Sequence, residues 1–340
     1  MNRRGRTIGF ALLFSLPSVA FGQSAPTPVT VDNFVRAESD TYIGGLAKQA
    51  GGLGKLLHHR EPAPIEDHSV IRLNRDTLYS YGIFDLDAGP VTFTLPDPGS
   101  RFMSLMAVSQ DHYASTVYGA GTHTFDKATV GTRYVLIGTR ILVDPSDPKD
   151  IDQVHALQDG IKASQNGAGT LELPTYDAAS QKKVHDALLV LASTLSNFDR
   201  AFGTKEEVDP IRHLLGSAYG WGGNPDKDAR YLNITPEKND GTTIYKLSVK
   251  DVPVDGFWSI SVYNAEGFYD KNPYNAYALN SVTAKKGEDG SVTVQFGGCD
   301  GKIVNCLPVA KDWNYMVRLY RPRAEILDGS WTFPEPMVAN

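Results

Sequence analysis

The chain reads as a mainly β protein with a helical insertion (α+β): two jelly-roll-like antiparallel β-sandwich domains in tandem. Three observations predict this. A strand–turn–strand block occurs twice in the same order, from Val91 to Tyr113 and from Tyr245 to Tyr269, and each copy opens its second strand on Phe-x-Ser, at Phe102 and Ser104 and at Phe257 and Ser259. Each copy is followed by a similar closing strand, Arg133 to Arg140 and Asn314 to Arg321. Between the copies, Val184, Leu188, Leu191, Leu195 and Phe198 recur at helical spacing.

The elements follow in chain order. Arg3, Arg4 and Arg6 precede a short apolar run from Phe10 to Ala20, and Ala20-Phe21-Gly22 is a small-x-small cleavage site. Residues 1–22 are therefore expected to be a secretory signal peptide, too short to remain as a membrane span. The mature protein is expected to be soluble, periplasmic or secreted, with no membrane contact after cleavage. A helix should open it, capped by Thr30 or Asp32 and carrying Phe34, Ala37 and Tyr42. From His68 the period becomes two, with Val91, Phe93 and Leu95 on one side and Thr92 and Thr94 on the other. An N-terminal β domain is expected over residues 30–145. Residues 146–225 form the helical insertion, with helices within Ile151 to Ser164, Tyr176 to Phe202 and Pro210 to Ala218. The C-terminal jelly-roll-like domain takes residues 226–340. On its closing strand Trp313, Tyr315, Val317 and Leu319 share a core face, and Asn314, Met316, Arg318 and Tyr320 share the other. The Pro-rich tail from Trp331 to Pro336 should lie along a sheet edge, where missing N–H donors matter least.

The 340 residues carry 33 basic and 39 acidic side chains, a net charge of −6. Loss of the leader removes three arginines and makes the chain more acidic. An acidic chain without basic runs is a poor match for nucleic acid or anionic lipid. The two cysteines, Cys299 and Cys306, are an even pair in an exported chain and are expected to form a disulfide. The alternative is a pair of metal-binding thiolates, but no nearby His completes a zinc site.

Asn74 to Val91 (NRDTLYSYGIFDLDAGPV) with Arg101 and Phe102 resembles the bacterial family DUF1254, a domain of unknown function. VPVDGFWSISVYN with Asn272-Pro273, Asp289-Gly290, Asn305 to Pro308, Arg318 to Pro322 and Ile326 to Pro334 resembles its usual partner, DUF1214. The resemblance spans nearly the whole mature chain. It implies two jelly-roll-like domains with a helical insertion and no established chemistry.

Asn74, Arg75 and Asp76 are the densest polar cluster ahead of an apolar strand. Arg75 suits a carboxylate or sugar hydroxyl and Asp76 suits a general base. The structural alternative is an Asx turn, with Arg75 paired to Asp76 or Asp85. Asp111 and His112 at a strand end suit an acid–base pair, although neighbours on a strand point apart. Tyr79, Arg318 and Tyr320 complete a candidate substrate surface. No metal-ligand spacing, dinucleotide fingerprint or hydrolase nucleophile motif is present, so no cofactor and no metal are expected. The leading functional expectation is a hydrolase or lyase. It would use Asp76, Asp111 and His112 as catalytic groups in an interdomain cleft, on a glycan, amide or ester. The alternatives are a non-catalytic binding protein for a glycan or small molecule, and a structural homo-oligomer.

Overall fold

In the computed structural model, which describes residues 25–68 and 70–339, each copy of the sequence block winds into the same six-stranded roll. The first has strands β1 (Thr77–Asp85), β2 (Val91–Leu95), β3 (Met103–Ser109), β4 (Ala114–Tyr118), β5 (Gly121–Phe125) and β6 (Tyr134–Leu142). The second has β7 (Ala229–Ile234), β8 (Tyr245–Val249), β9 (Trp258–Tyr263), β10 (Ala278–Asn280), β11 (Val292–Phe296) and β12 (Asn314–Tyr320). In the first, β1 pairs with β6, β2 with β5 and β3 with β4, all antiparallel, and β6 also pairs with β3. In the second, β7 pairs with β12, β8 with β11 and β9 with β10, and β12 pairs with β9. Nested hairpins alternating between two sheets are the winding of a jelly roll. The blocks at Val91 and Tyr245 thus become equivalent pairs, β2–β3 and β8–β9. The expected signal peptide lies outside the described residues. Among the described residues, no helix is long and apolar enough to cross a membrane.

Alternation builds both cores. Val91, Phe93 and Leu95 meet Leu105, Ile137 and Ile141 in the first sandwich; Leu247, Val294 and Phe296 meet Trp313, Tyr315, Val317 and Leu319 in the second. Full burial of a side chain such as Phe93 or Leu247 stabilises the fold by about 1.5–3 kcal/mol. Strands β3, β9 and β12 are buried at every residue, so their outer faces are covered too. On β3, Met106 and Val108 meet Ile43 and Ala47 of a helix, while Ser104 lies between Arg140 and Tyr118 in the ladder. The tail differs from expectation: Phe333, within Trp331 to Pro336, enters the second core, and the edge strand on β8 is made by Met337–Val338 just beyond that run.

The helices depart from expectation at their ends. Helix α1 (Phe34–Gln49) begins after Asn33, and neither Thr30 nor Asp32 caps it; the Asn33 side chain instead accepts from the Thr30 amide. Helix α2 (Pro148–Gly160) starts where Asp147 caps Pro148, and residues Lys162–Ser164 beyond it form an edge strand on β2. Helix α3 (Ala178–Ala192) is shorter than its stripe. Leu188 and Ala192 are buried, but Leu191 is 55% exposed. Helix α4 (Pro210–Tyr219) has Asp209 as its cap and Pro210 at its first position, a favoured pairing. The cysteines form the Cys299–Cys306 disulfide.

Candidate functional site

Where the sandwiches meet, the internal repeat becomes chemical. Tyr79 on β1 lies opposite Arg140 on β6, Arg140 opposite Ser104 on β3, and Ser104 opposite Tyr118 on β4. In the second sandwich Tyr231 lies opposite Arg318, Arg318 opposite Ser259, and Ser259 opposite Asn280. Each copy therefore presents a row of Tyr, Arg and Ser across its sheet. The residues before the rows match as well. Leu142 N donates to Phe102 O (3.0 Å) as Tyr320 N donates to Phe257 O (2.8 Å). Val143 N donates to Asp76 O (2.9 Å) as Arg321 N donates to Asp228 O (2.8 Å). Asp76 and Tyr79 thus correspond to Asp228 and Tyr231, a repeated Asp-x-x-Tyr at the start of each sandwich.

The first half-site is the more enclosed. Asp76 is buried, and its Oδ1 accepts from Asn280 Nδ2 at 3.3 Å. The buried Ser259 hydroxyl also favours the Asp76 carboxylate by hydrogen bonding. Burial raises the Asp76 carboxyl above its ordinary range, against the opposing pull of Arg318. Arg318 is also buried. It donates to Ser261 Oγ (3.0 Å), Arg72 O (2.7 Å) and Tyr263 Oη (2.8 Å), with no carboxylate in ion-pair range among the described residues. Asn74 closes an Asx turn on the Asp76 amide (2.8 Å), as the structural reading of the cluster expected, and its Nδ2 donates to Tyr320 Oη (2.9 Å) and Tyr79 Oη (3.2 Å). Arg75 pairs with neither Asp76 nor Asp85; it is partly buried over the Tyr277 ring at 5.9 Å, and Asp85 is held by Arg133. Arg140 donates to Asn224 Oδ1 (2.9 Å) and lies over Tyr79 at 5.6 Å, while Tyr231 is 36% exposed.

The second half-site opens into a cleft. Asp228 Oδ1 accepts from Tyr118 Oη at 3.0 Å, the counterpart of the Asp76–Asn280 contact. Burial again raises the carboxyl, against hydrogen bonds from Tyr118 and Thr116 that favour the carboxylate. Beside Tyr118 is a cleft of about 170 Å³ on the seam, lined by Ser100, Arg101, Phe102 and Tyr118 from one sandwich and Gly256 and Arg321 from the other. Phe102 divides the cleft from the buried layer. Its ring meets Phe257 at 5.1 Å and Tyr320 at 5.4 Å.

The structure does not bring Asp111 and His112 to this layer. They lie in the β3–β4 turn, at the far end of β3 from Ser104, on the order of 20 Å away at the rise of an extended strand. Asp111 forms an ion pair with Arg36 of α1 at 2.5 Å. His112 is buried at φ 61°, and its Nε2 accepts the Gly222 amide at 2.7 Å. Ser217 Oγ, 2.7 Å from Nδ1, donates to His213 O, so Nδ1 must carry the proton. Burial and His213 push the His112 pKa down to about 3, so the ring is a neutral clamp of the turn onto α4. Asn74, Asp76, Tyr79, Arg318 and Tyr320 are brought together. Arg140, Tyr231, Asp228 and Ser259 join them and were missed. The sequence signal that would have found them is the second Asp-x-x-Tyr, at Asp228.

Residues 53–129 match the family model described as a protein of unknown function, DUF1254, and residues 230–324 match the one described as a protein of unknown function, DUF1214. The chain belongs to the DUF1254–DUF1214 tandem. The DUF1254 match contains Asp76, Tyr79, Phe102 and Ser104; the DUF1214 match contains Tyr231, Phe257, Ser259 and Arg318. Comparison with curated proteins gave no match. In fold, the tandem is similar to the VPA0106 protein from Vibrio parahaemolyticus, with 17% identity, a TM-score of 0.69, and coverage of 91% of this chain and 98% of that one. It is also similar to an uncharacterized protein from Burkholderia cenocepacia, with 12% identity, a TM-score of 0.53, and coverage of 90% and 86%.

Proposed function

We propose that this DUF1254–DUF1214 chain is an exported binding protein that holds a small molecule in the cleft between its two sandwiches. The observation that carries the reading is the cleft itself: about 170 Å³ on the seam, with Phe102 and Tyr118 from the first sandwich and charged groups from both converging on it. The Cys299–Cys306 disulfide supports export, since such bonds persist in oxidising compartments. Mass spectrometry of the exported protein should find Gln23 at or near its N-terminus. Ligand binding is tested by titrating small-molecule probes into the wild type and into Ser100→Trp, which places an indole in the cleft. Binding lost in Ser100→Trp with the melting temperature retained supports the reading; binding retained there removes it.

A second reading is the acid–base enzyme, a hydrolase or lyase acting on a glycan, amide or ester. It is favoured by one observation: Asp76 and Asp228 are buried acids, and burial raises the pKa of each. A positioned acid–base group contributes about 10²–10⁴ in rate. Turnover of glycosidic, amide or ester substrates that disappears in Asp76→Asn or Asp228→Asn would establish it. Absence of turnover across that panel leaves binding as the function.

A further inference from the structure

We infer that the seam cleft recognises a small monocarboxylate with an apolar body, held by Arg321. This rests on the reading of the cleft as a ligand site and names its ligand class. Most charges around the cleft already have partners. Arg101 is spent on Asp150 (2.5 and 2.9 Å) and on Leu142 O (2.7 Å). Asp255 pairs with Arg323 at 2.7 Å and has Arg321 only as a weaker electrostatic neighbour. Asp228 is held by the Tyr118 phenol. Arg321 remains, with no ion pair and no side-chain hydrogen bond among the described residues.

Arg321 is also fixed in place. Its amide donates to Asp228 O and its carbonyl accepts from the Asp255 amide, each at 2.8 Å. Its backbone holds φ 51°, in the left-handed region that a side chain other than glycine rarely adopts, and such positions cluster where a side chain must be aimed. The guanidinium lies over the Tyr118 ring at 4.6 Å, leaving its donor edge for a planar acceptor. Tyr118 is itself held by Asp228, so the platform under the guanidinium does not turn. A carboxylate matches the guanidinium fork in two parallel hydrogen bonds. One uncommitted cation suits one negative charge, and the walls at Pro98, Phe102 and Met103 suit an apolar body. The corresponding position in the first sandwich is Val143, so the internal repeat supplies this cation once.

The test is calorimetric titration of the full exported chain with benzoate, hexanoate and benzamide, repeated on Arg321→Gln, Arg321→Lys and Ser100→Trp. Benzoate and hexanoate should bind the wild type. Benzamide and the Arg321→Gln protein should each show affinity lower by at least about tenfold, the scale of a lost charge-assisted hydrogen bond. Arg321→Lys should fall between, because it keeps the charge and loses the fork. If benzamide binds as tightly as benzoate, or Arg321→Gln binds unchanged while Ser100→Trp does not bind, the ligand class is wrong and the cleft reading survives. If no probe binds the wild type, or Ser100→Trp binds as the wild type does, both fail.

Discussion

Replacing Asp76 by Asn should stabilise the protein at neutral and alkaline pH and do nothing in acid. In the wild type, Oδ1 accepts from Asn280, and Arg318 and the Ser259 hydroxyl also favour the carboxylate, but burial outweighs them. An Asn side chain keeps the acceptor for Asn280 and removes the buried charge. Relieving that desolvation should return about 1–3 kcal/mol. The sign with pH follows from the direction of the shift. Burial raises the folded-state pKa above the unfolded value, so stability is full below the unfolded pKa and is lost as pH rises through the folded one. The Asp76→Asn protein would carry no such dependence at this position. The two proteins should therefore have equal denaturant midpoints near pH 3, with the variant ahead by about 1–3 kcal/mol at pH 8. The assay is urea unfolding at half-unit pH steps with the m-value held in common. A variant less stable by about 3–5 kcal/mol at pH 8 would mean that Asp76 is the ionised counter-charge of buried Arg318, and would refute the reasoning.

His112 should stay neutral across the neutral range: its folded pKa is about 3, so its contribution is present above the unfolded value and fades as pH falls from there toward 3. NMR of the imidazole should show no titration between pH 5 and 8, and His112→Ala should cost about 1–3 kcal/mol from the orphaned Gly222 amide alone. Cys299→Ser with Cys306→Ser should lower stability by about 2–3 kcal/mol in unfolding experiments, as a short loop allows, and the unreduced wild type should show no reactive thiol. Arg318→Ala should be among the costliest single changes, because it strands Ser261, Tyr263 and the Arg72 carbonyl; a urea midpoint within error of the wild type would contradict the account of the layer.

The winding of the sandwiches was legible because two-residue periodicity and the repeated Phe-x-Ser both report strands directly. The alternation at Val91, Phe93 and Leu95 and at Trp313 to Leu319 survives as drawn because each strand has one core face. Helix limits were less legible. Leu191 continues the apolar stripe in sequence, yet α3 ends at Ala192 and that side chain turns outward. The site was half legible for a reason of register. Aligning the closing strands on their last residues matches Arg140 with Arg321. The ladder instead sets Arg140 against Ser104 and Arg318 against Ser259, three positions away, and only that register shows the paired rows. Asp111 and His112 looked catalytic because acid and imidazole adjoin in sequence. The left-handed turn at His112 sends one to the surface ion pair and the other into a dry clamp.

Amide NMR during a benzoate titration reads out whether a ligand sits in the seam between the sandwiches. The largest, saturable shifts should fall on Gly99, Gly119, Gly256 and Arg321, around the cleft, and be absent in Ser100→Trp. Shifts centred on α1 and α4 instead, or no saturable shift at any residue, would contradict it.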